Sequence, residues 1–217
     1  QILRDSYHQI TTKQNADKKL TSEQMTALKN IEIAQHQGKQ KFLLYGVTGS
    51  GKTQIYIEMA LKARALGKQA LILVPEIVLT GQLVTSFKEY FTDDVAVIHS
   101  RLSVGERNDT FWRIRTKQIG IIIGARSALF APFEDLGLIV MDEEHDSSYK
   151  QDESPRYHSH DIIEKMAEIY HATLIMGSAT PSLESYYKAQ IGEYVLLKMP
   201  NRIDNLPLPY IEGVDMR

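Results

Sequence analysis

From Lys41 onward, short apolar runs with almost no polar alternation recur along the chain: FLLY (42–45), ALILV (70–74), VAVI (95–98), IGIII (119–123), LIVM (138–141) and TLIM (173–176). Strands of this kind are buried on both faces, as in a parallel sheet covered by helices. Between them, helical spacing and stop signals predict helices over roughly 53–66, 79–91, 103–117 and 159–170, with another near 182–190. Alternating strands and helices predict an α/β fold: a mostly parallel, doubly wound sheet with helices on both faces, in three layers. Residues 1–19 are polar and weakly periodic and read as an entry linker. The folded lobe is expected over 20–198, and the proline-bearing stretch after YVLLK (194–198) reads as an exit segment over 199–217.

Composition narrows the partners. Twenty-five basic residues against twenty-seven acidic give a net charge of -2, so nucleic-acid contact must be local. Cysteine is absent, which excludes disulfides and thiolate metal sites within the chain and agrees with a reducing compartment. No apolar run approaches the roughly 18 residues of a membrane helix, so no membrane partner is expected. The chain opens at Gln1 without a signal-peptide pattern, and the missing Met reads as a piece cut from a longer protein.

Directly after FLLY stands Gly46-Val47-Thr48-Gly49-Ser50-Gly51-Lys52-Thr53, a complete G-x-x-x-x-G-K-T between a strand and a helix. Backbone N–H groups of such a loop converge on a β-phosphate, and the helix that follows turns its positive end toward the same anion. Lys52 is the candidate for the β and γ oxygens and Thr53 for Mg²⁺. LIVM leads into Asp142, Glu143, Glu144 and His145 at the carboxyl end of a buried strand, where open α/β sheets bind ligands. Asp142 is expected to hold Mg²⁺, largely through water, and Glu143 to take a proton from an attacking water. A transition-metal cluster is the weaker reading of this run, because two His in a polar loop without Cys make a poor ligand set.

Ser178, Ala179 and Thr180 follow TLIM and offer a third turn at the same edge, to which His145 could bond. Gln24 has two readings that the sequence leaves open: it could read the edge of adenine, or it could complete a capping box with Thr21.

Taken in order, GVTGSGKT, LVPEIVLT (73–80), HS (99–100), ER (106–107), IGARSALFAPF (123–133), DEEHDSSYKQ (142–151), PRYH (155–158) and GSATPSLES (177–185) resemble the primosomal replication-restart helicases of superfamily 2 over residues 20–217. The resemblance implies a RecA-like first motor lobe that binds ATP and drives 3′ to 5′ movement on single-stranded DNA. It further implies forked DNA, replication-restart and primosome proteins and single-stranded DNA-binding protein as partners, and a cytoplasmic, nucleoid-associated site of action. Zinc belongs, by the same resemblance, to a Cys-rich region outside this chain.

The resemblance also assigns residues to DNA binding or coupling: Pro75, Thr80, Gly124, Arg126 and Ser127; Tyr149, Lys150, Arg156 and Tyr157 in an aromatic-rich loop; and Ser178, Ala179 and Thr180. Residues 142–161 carry two basic and seven acidic groups, a net -5, so that loop is no electrostatic funnel, whereas residues 99–126 carry six basic against two acidic. Three positions depart from many relatives: Gly81 replaces Pro, Gln54 replaces Glu and His160 replaces Arg. The last exchanges a permanent cation for one that titrates near neutrality. A small-molecule kinase, a nucleotide-gated scaffold and a double-stranded DNA translocase are the rival readings.

Because the family's second lobe supplies an arginine to the transferred phosphoryl, the 217-residue chain alone is expected to bind ATP yet turn it over roughly 10³-fold or more slower than a two-lobed protein. Phosphate-release rates with single-stranded DNA check this, and equal rates would refute it.

Overall fold

The computed structural model describes residues 19–78 and 81–203. Thr80, residues 1–18 of the expected linker and residues 204–217 of the expected exit segment lie outside the described residues.

Among the described residues, seven strands form one parallel sheet: β1 (Lys41–Gly46), β2 (Gln69–Leu73), β3 (Val95–Ile98), β4 (Ile121–Gly124), β5 (Leu136–Asp142), β8 (Thr173–Ser178) and β9 (Val195–Met199), in the order β3-β4-β2-β5-β8-β1-β9. A short antiparallel pair, β6 (Lys150–Gln151) and β7 (Tyr157–His158), stands apart as a hairpin. The helices are α1 (Ser22–His36), α2 (Lys52–Ala65), α3 (Gly81–Phe91), α4 (Val104–Arg115), α5 (Ser159–Tyr170) and α6 (Leu183–Gln190).

The unbroken apolar runs divide between two cores because successive side chains of a strand point to opposite faces. Phe42, Leu44, Ala70, Ile72, Ile121, Ile123, Leu138, Val140 and Ile175 pack with Ile31 of α1, Ile55, Tyr56 and Met59 of α2, and Phe87 of α3. Leu43, Leu71, Leu73, Ile122, Ile139, Met141, Leu174 and Met176 pack on the other side with Ile114 of α4 and Ile163 and Ala167 of α5. Each fully buried aliphatic side chain contributes about 1.5–3 kcal/mol, so the two faces make comparable claims on the sheet.

Several boundaries differ from the pattern. Ser103 caps α4 through a reciprocal box with Glu106, so the helix starts one residue later than expected. It stops at Arg115, two residues early, and Lys117 takes φ 57° just beyond. YVLLK is the edge strand β9, and Met199 at its end is fully buried, which carries the packed lobe past residue 198. The β6–β7 hairpin has no counterpart among the predicted elements.

Strand order positions the site. From β1 the chain passes through α2 to β2, skipping two places that β8 and β5 later fill. Helices α1, α2 and α3 therefore cover one face, α4 and α5 the other, and ligands in such sheets bind outside the carboxyl ends of the strands near the reversal. In register, Leu44 lies beside Gly177 and Gly177 beside Asp142, while Tyr45 lies beside Ser178 and Gly46 beside Met199.

Gly177 is required here by a close approach. A Cβ on it would stand 1.8 Å from the Tyr56 hydroxyl oxygen and 3.2 Å from Asp142 Oδ1. Gly177→Ala is expected to cost about 1–3 kcal/mol in urea denaturation by overpacking. In a Tyr56→Phe background the added cost should shrink, since the colliding oxygen is gone; strict additivity of the two changes would refute the collision.

Candidate active site

The phosphate loop leaves β1 and enters α2 through two left-handed glycines, Gly49 at φ 81° and Gly51 at φ 85°. Gly51 is the N-cap of α2 and supplies no side-chain cap, so the helix start is left to the backbone. Lys52 is 8% exposed; its Nζ donates to Gly46 O at 3.0 Å and lies 3.9 Å from Glu143 Oε1. Ser50 Oγ is buried with no hydrogen-bond partner. An orphaned hydroxyl, an ammonium and a glycine-turned backbone at a helix start fit an anionic phosphate. Val47 is half-buried, Thr48 exposed, and Thr53 half-buried at the mouth of an adjoining hollow of about 390 Å³.

Asp142 ends β5 with 7% exposure and accepts a 2.8 Å hydrogen bond from the Tyr56 hydroxyl. Burial holds its carboxyl above the usual range, and the Tyr56 bond and the Lys52 charge offset this only in part. Glu143 adopts φ 46°, a conformation L side chains rarely take and one that concentrates at functional sites. Its carboxylate stands between Lys52 at 3.9 Å and His145 Nδ1 at 3.8 Å. Lys52, Asp142 and Glu143, assigned to one site from the sequence, are therefore brought together.

His145 reaches the third turn. Its Nδ1 is 2.8 Å from Ser178 Oγ and its Nε2 is 3.3 Å from Thr180 Oγ1, while Thr180 N donates to Ser178 Oγ at 2.9 Å. Ala179, between them, is half-buried.

Gln24 meets the phosphate loop from the other side. Its amide oxygen accepts from Thr21 N at 2.8 Å, Thr21 Oγ1 accepts from Gln24 N at 3.2 Å, and Gln24 Nε2 donates to Gly51 O at 3.2 Å. The capping box is thus formed and both ends of the amide are engaged, one by α1 and one by the loop. Gln24 borders the hollow with Thr21, Thr53, Tyr90 and Ile203, and its amide latches the loop to the start of α1.

The two tyrosines of the aromatic loop stand in different settings. Tyr149 is fully buried; its hydroxyl donates to Asp142 O at 2.7 Å, and Ser159 Oγ donates to Tyr149 O at 2.7 Å. Its ring cannot stack on a base from there, because the apolar face is already covered by the core, and it ties the hairpin to β5 instead. Tyr157 is half-buried, packed edge-on against Phe130 with centroids 5.6 Å apart and lying 5.8 Å from the Arg126 guanidinium carbon.

Arg126, assigned by the resemblance to DNA binding or coupling, donates to Ser148 O at 3.2 Å and to Lys150 O. Lys150 pairs with Asp152 at 3.2 Å, and Arg156 Nε donates to Asp152 O at 3.0 Å; both basic residues are exposed beside an open hollow of about 500 Å³ that Tyr157 also lines. Pro75 is buried after β2, Ser127 is half-buried, and Gly124 ends β4 where a Cβ would meet Ile98 O at 2.5 Å.

Sequence reasoning passed over Glu144. It is wholly buried and accepts from His160 Nε2 at 2.9 Å, Ser182 N at 2.7 Å, Ser182 Oγ at 2.9 Å and Ser185 Oγ at 2.8 Å. Burial alone would raise its carboxyl, but these bonds together hold it below the usual range. The serines at i and i+3 around the start of α6 were a visible capping signal, but nothing in the sequence tied them to Glu144. Tyr56 was missed too, since a tyrosine on a helix face reads as core. Among the described residues, no three His, Cys, Asp or Glu side chains stand close enough to hold a metal ion.

A phosphate loop, an acidic pair and a hydroxyl turn at one edge of a parallel sheet define an α/β lobe built around a phosphate loop. The chain belongs to the family described as type III restriction enzyme, res subunit, whose model matches residues 17–183. It is 48% identical over 218 residues to replication restart protein PriA of Bacillus subtilis (strain 168), covering 100% of this chain and 27% of that protein. Over 199 residues it is 46% identical to replication restart protein PriA of Chlamydia trachomatis, covering 91% and 26%. The chain thus spans about a quarter of the length of these relatives.

Among solved structures it is similar in fold to RecG bound to a three-way DNA junction, with TM-score 0.62 and 24% identity over 85% of this chain and 24% of that one. DUF1998 helicase MrfA bound to DNA matches at TM-score 0.60 and 20% identity, over 91% and 28%.

Glu144→Gln should destabilise the lobe by about 2–4 kcal/mol in urea denaturation, because buried donors lose their charged acceptor. The folded carboxyl lies below its ordinary value, so the wild-type advantage is complete above the unfolded glutamate pKa of about 4.3 and is lost as pH falls through the folded one. An advantage that grew on acidification would refute the assignment.

Proposed function

We propose that this chain is the ATP-binding first motor lobe of an ATP-dependent DNA helicase or translocase that works in replication restart, moving 3′ to 5′ on single-stranded DNA. The observation that carries the reading is the approach of Lys52 to Glu143, 3.9 Å, beside a buried Asp142 and a loop with an orphaned Ser50 hydroxyl.

In this reading the loop amides and Lys52 hold the β- and γ-phosphates, and Glu143 accepts a proton from the water that attacks the γ-phosphorus while the bond to the β-phosphate oxygen breaks. Thr53 and Asp142 would hold Mg²⁺, which neutralises charge on the phosphates. Tyr56 fixes the orientation of Asp142, and Tyr149 grips the backbone of the same residue from the hairpin. His145 ties the acidic run to Ser178 and Thr180, so a change at the nucleotide can be felt at the neighbouring turn.

DNA is proposed to meet the exposed Lys150 and Arg156 beside Tyr157, with Arg126 shaping that surface by holding hairpin carbonyls. Single-stranded and forked DNA, replication-restart and primosome proteins and single-stranded DNA-binding protein are the partners this role implies. The setting it implies is the bacterial cytoplasm, at the nucleoid. Zinc would be held by cysteines in other parts of such a protein, since this chain has none.

In the whole-length protein, Lys52→Ala should abolish ATP binding. Glu143→Gln should keep binding but lower single-strand-stimulated phosphate release by about 10²–10⁴-fold. Equal stimulation by duplex without single strands would favour a double-stranded DNA translocase, and restart activity surviving Glu143→Gln would favour a nucleotide-gated scaffold.

A further inference from the structure

Beyond β9 the chain stays on the site. Val47 N donates to Met199 O at 3.2 Å and Ile203 N donates to Gly49 O at 3.1 Å, so both ends of segment 199–203 are bonded to the phosphate loop itself. Asn201 fastens the middle to Glu23 of α1, through its backbone N at 3.4 Å and its Nδ2 at 2.5 Å.

Between these bonds Arg202 lies along Gly49: a Cβ built there would stand 3.8 Å from its Cγ and 3.9 Å from its Cδ. Arg202 Nε is buried and has no hydrogen-bond partner. A buried guanidinium nitrogen without an acceptor is unfavourable, and phosphate oxygens are the acceptors a guanidinium fits best. Ser50 Oγ, in the same loop, is likewise without a partner. Lys52, the loop's own cation, already donates to Gly46 O and has its charge partly offset by Glu143, which leaves room for a second positive group at a triphosphate. Ile203 closes the other side: a Cβ on Gly51 would meet its Cδ1 at 2.5 Å, and it lines the hollow with Thr21, Gln24 and Tyr90.

We infer that Arg202 is a nucleotide-contacting residue delivered by the outgoing segment, donating to a phosphate oxygen of the bound nucleoside triphosphate, with Ile203 as the apolar wall on the base side. This rests on the nucleotide-binding reading of the loop. The segment that leads out of the lobe is then part of the site.

The test uses the whole-length protein and calorimetric titration with ATP and with adenosine. Arg202→Ala should weaken ATP binding about 10- to 100-fold, the loss expected of one charge-assisted hydrogen bond, and leave adenosine binding unchanged. Arg202→Gln keeps much of the stem against Gly49 without the charge and should match it, which guards against simple loss of folding. Wild-type ATP affinity in both variants, or an equal loss for ATP and adenosine, would overturn the inference. If Lys52→Ala also bound ATP like the wild type, the nucleotide-binding reading itself would fall; if only Lys52→Ala lost ATP, the inference about Arg202 alone would.

Discussion

The site depends on the hydrogen-bond register of three parallel strands. Leu44, Gly177 and Asp142 stand side by side across β1, β8 and β5, so the phosphate loop, the hydroxyl turn and the acidic run all leave the sheet at the same level. A parallel ladder shifted by one residue would invert every side chain of a strand, and here both faces are core, so the register is held from two sides at once. That double burial brings residues more than a hundred positions apart, such as Leu44 and Gly177, to one level of the sheet. The absence of a side chain at Gly177 is part of the same constraint, since the space beside it belongs to the Tyr56 hydroxyl on its way to Asp142.

At the end of β5, four consecutive polar residues separate to four different sets of neighbours. Asp142 takes the Tyr56 hydroxyl of α2, Glu143 faces Lys52, Glu144 is enclosed by His160, Ser182 and Ser185, and His145 turns to Ser178 and Thr180. The left-handed φ of Glu143 makes this divergence possible, because an extended backbone would send alternate residues to the same side. A wholly buried carboxylate such as Glu144 is tolerable only when its acceptor positions are filled, and four donors fill them. Those donors come from α5 and α6, so the acidic run also fastens two helices of the far layer to the ligand edge.

The strands and the phosphate loop were legible because each depends on a local pattern: an unbroken apolar run needs burial on both faces, and G-x-x-x-x-G-K-T needs a strand before it and a helix after it. The helices over 52–65 and 159–170 fall within a residue of expectation for the same reason. What stayed hidden is long-range. Nothing local distinguishes Tyr149, wholly buried against Asp142, from Tyr157, half-exposed beside Arg126, because an amphipathic ring suits either place. Arg126 was legible as a cation but not as one whose donors hold the hairpin carbonyls. The exit prolines mark the end of regular structure without revealing that residues 199–203 first cross the phosphate loop.

The charge count of the acidic loop shows why a sum can mislead where pairing is known. Residues 142–161 total -5, which would repel a polyanion if every group faced water. Glu144 is sealed inside, Asp142 is nearly so, Glu143 faces Lys52, and Asp146 accepts from Ser148 N as a local cap. Asp161 lies in the first turn of α5, where the helix dipole favours it, Asp152 sits beside Lys150 and Arg156, and Glu153 is the seventh acidic residue, exposed on the hairpin. The groups left outward on the hairpin therefore include two cations that a sequence sum had cancelled. On the hairpin itself Lys150 and Arg156 balance Asp152 and Glu153, so the surface beside Tyr157 is less negative than the composition of the whole run.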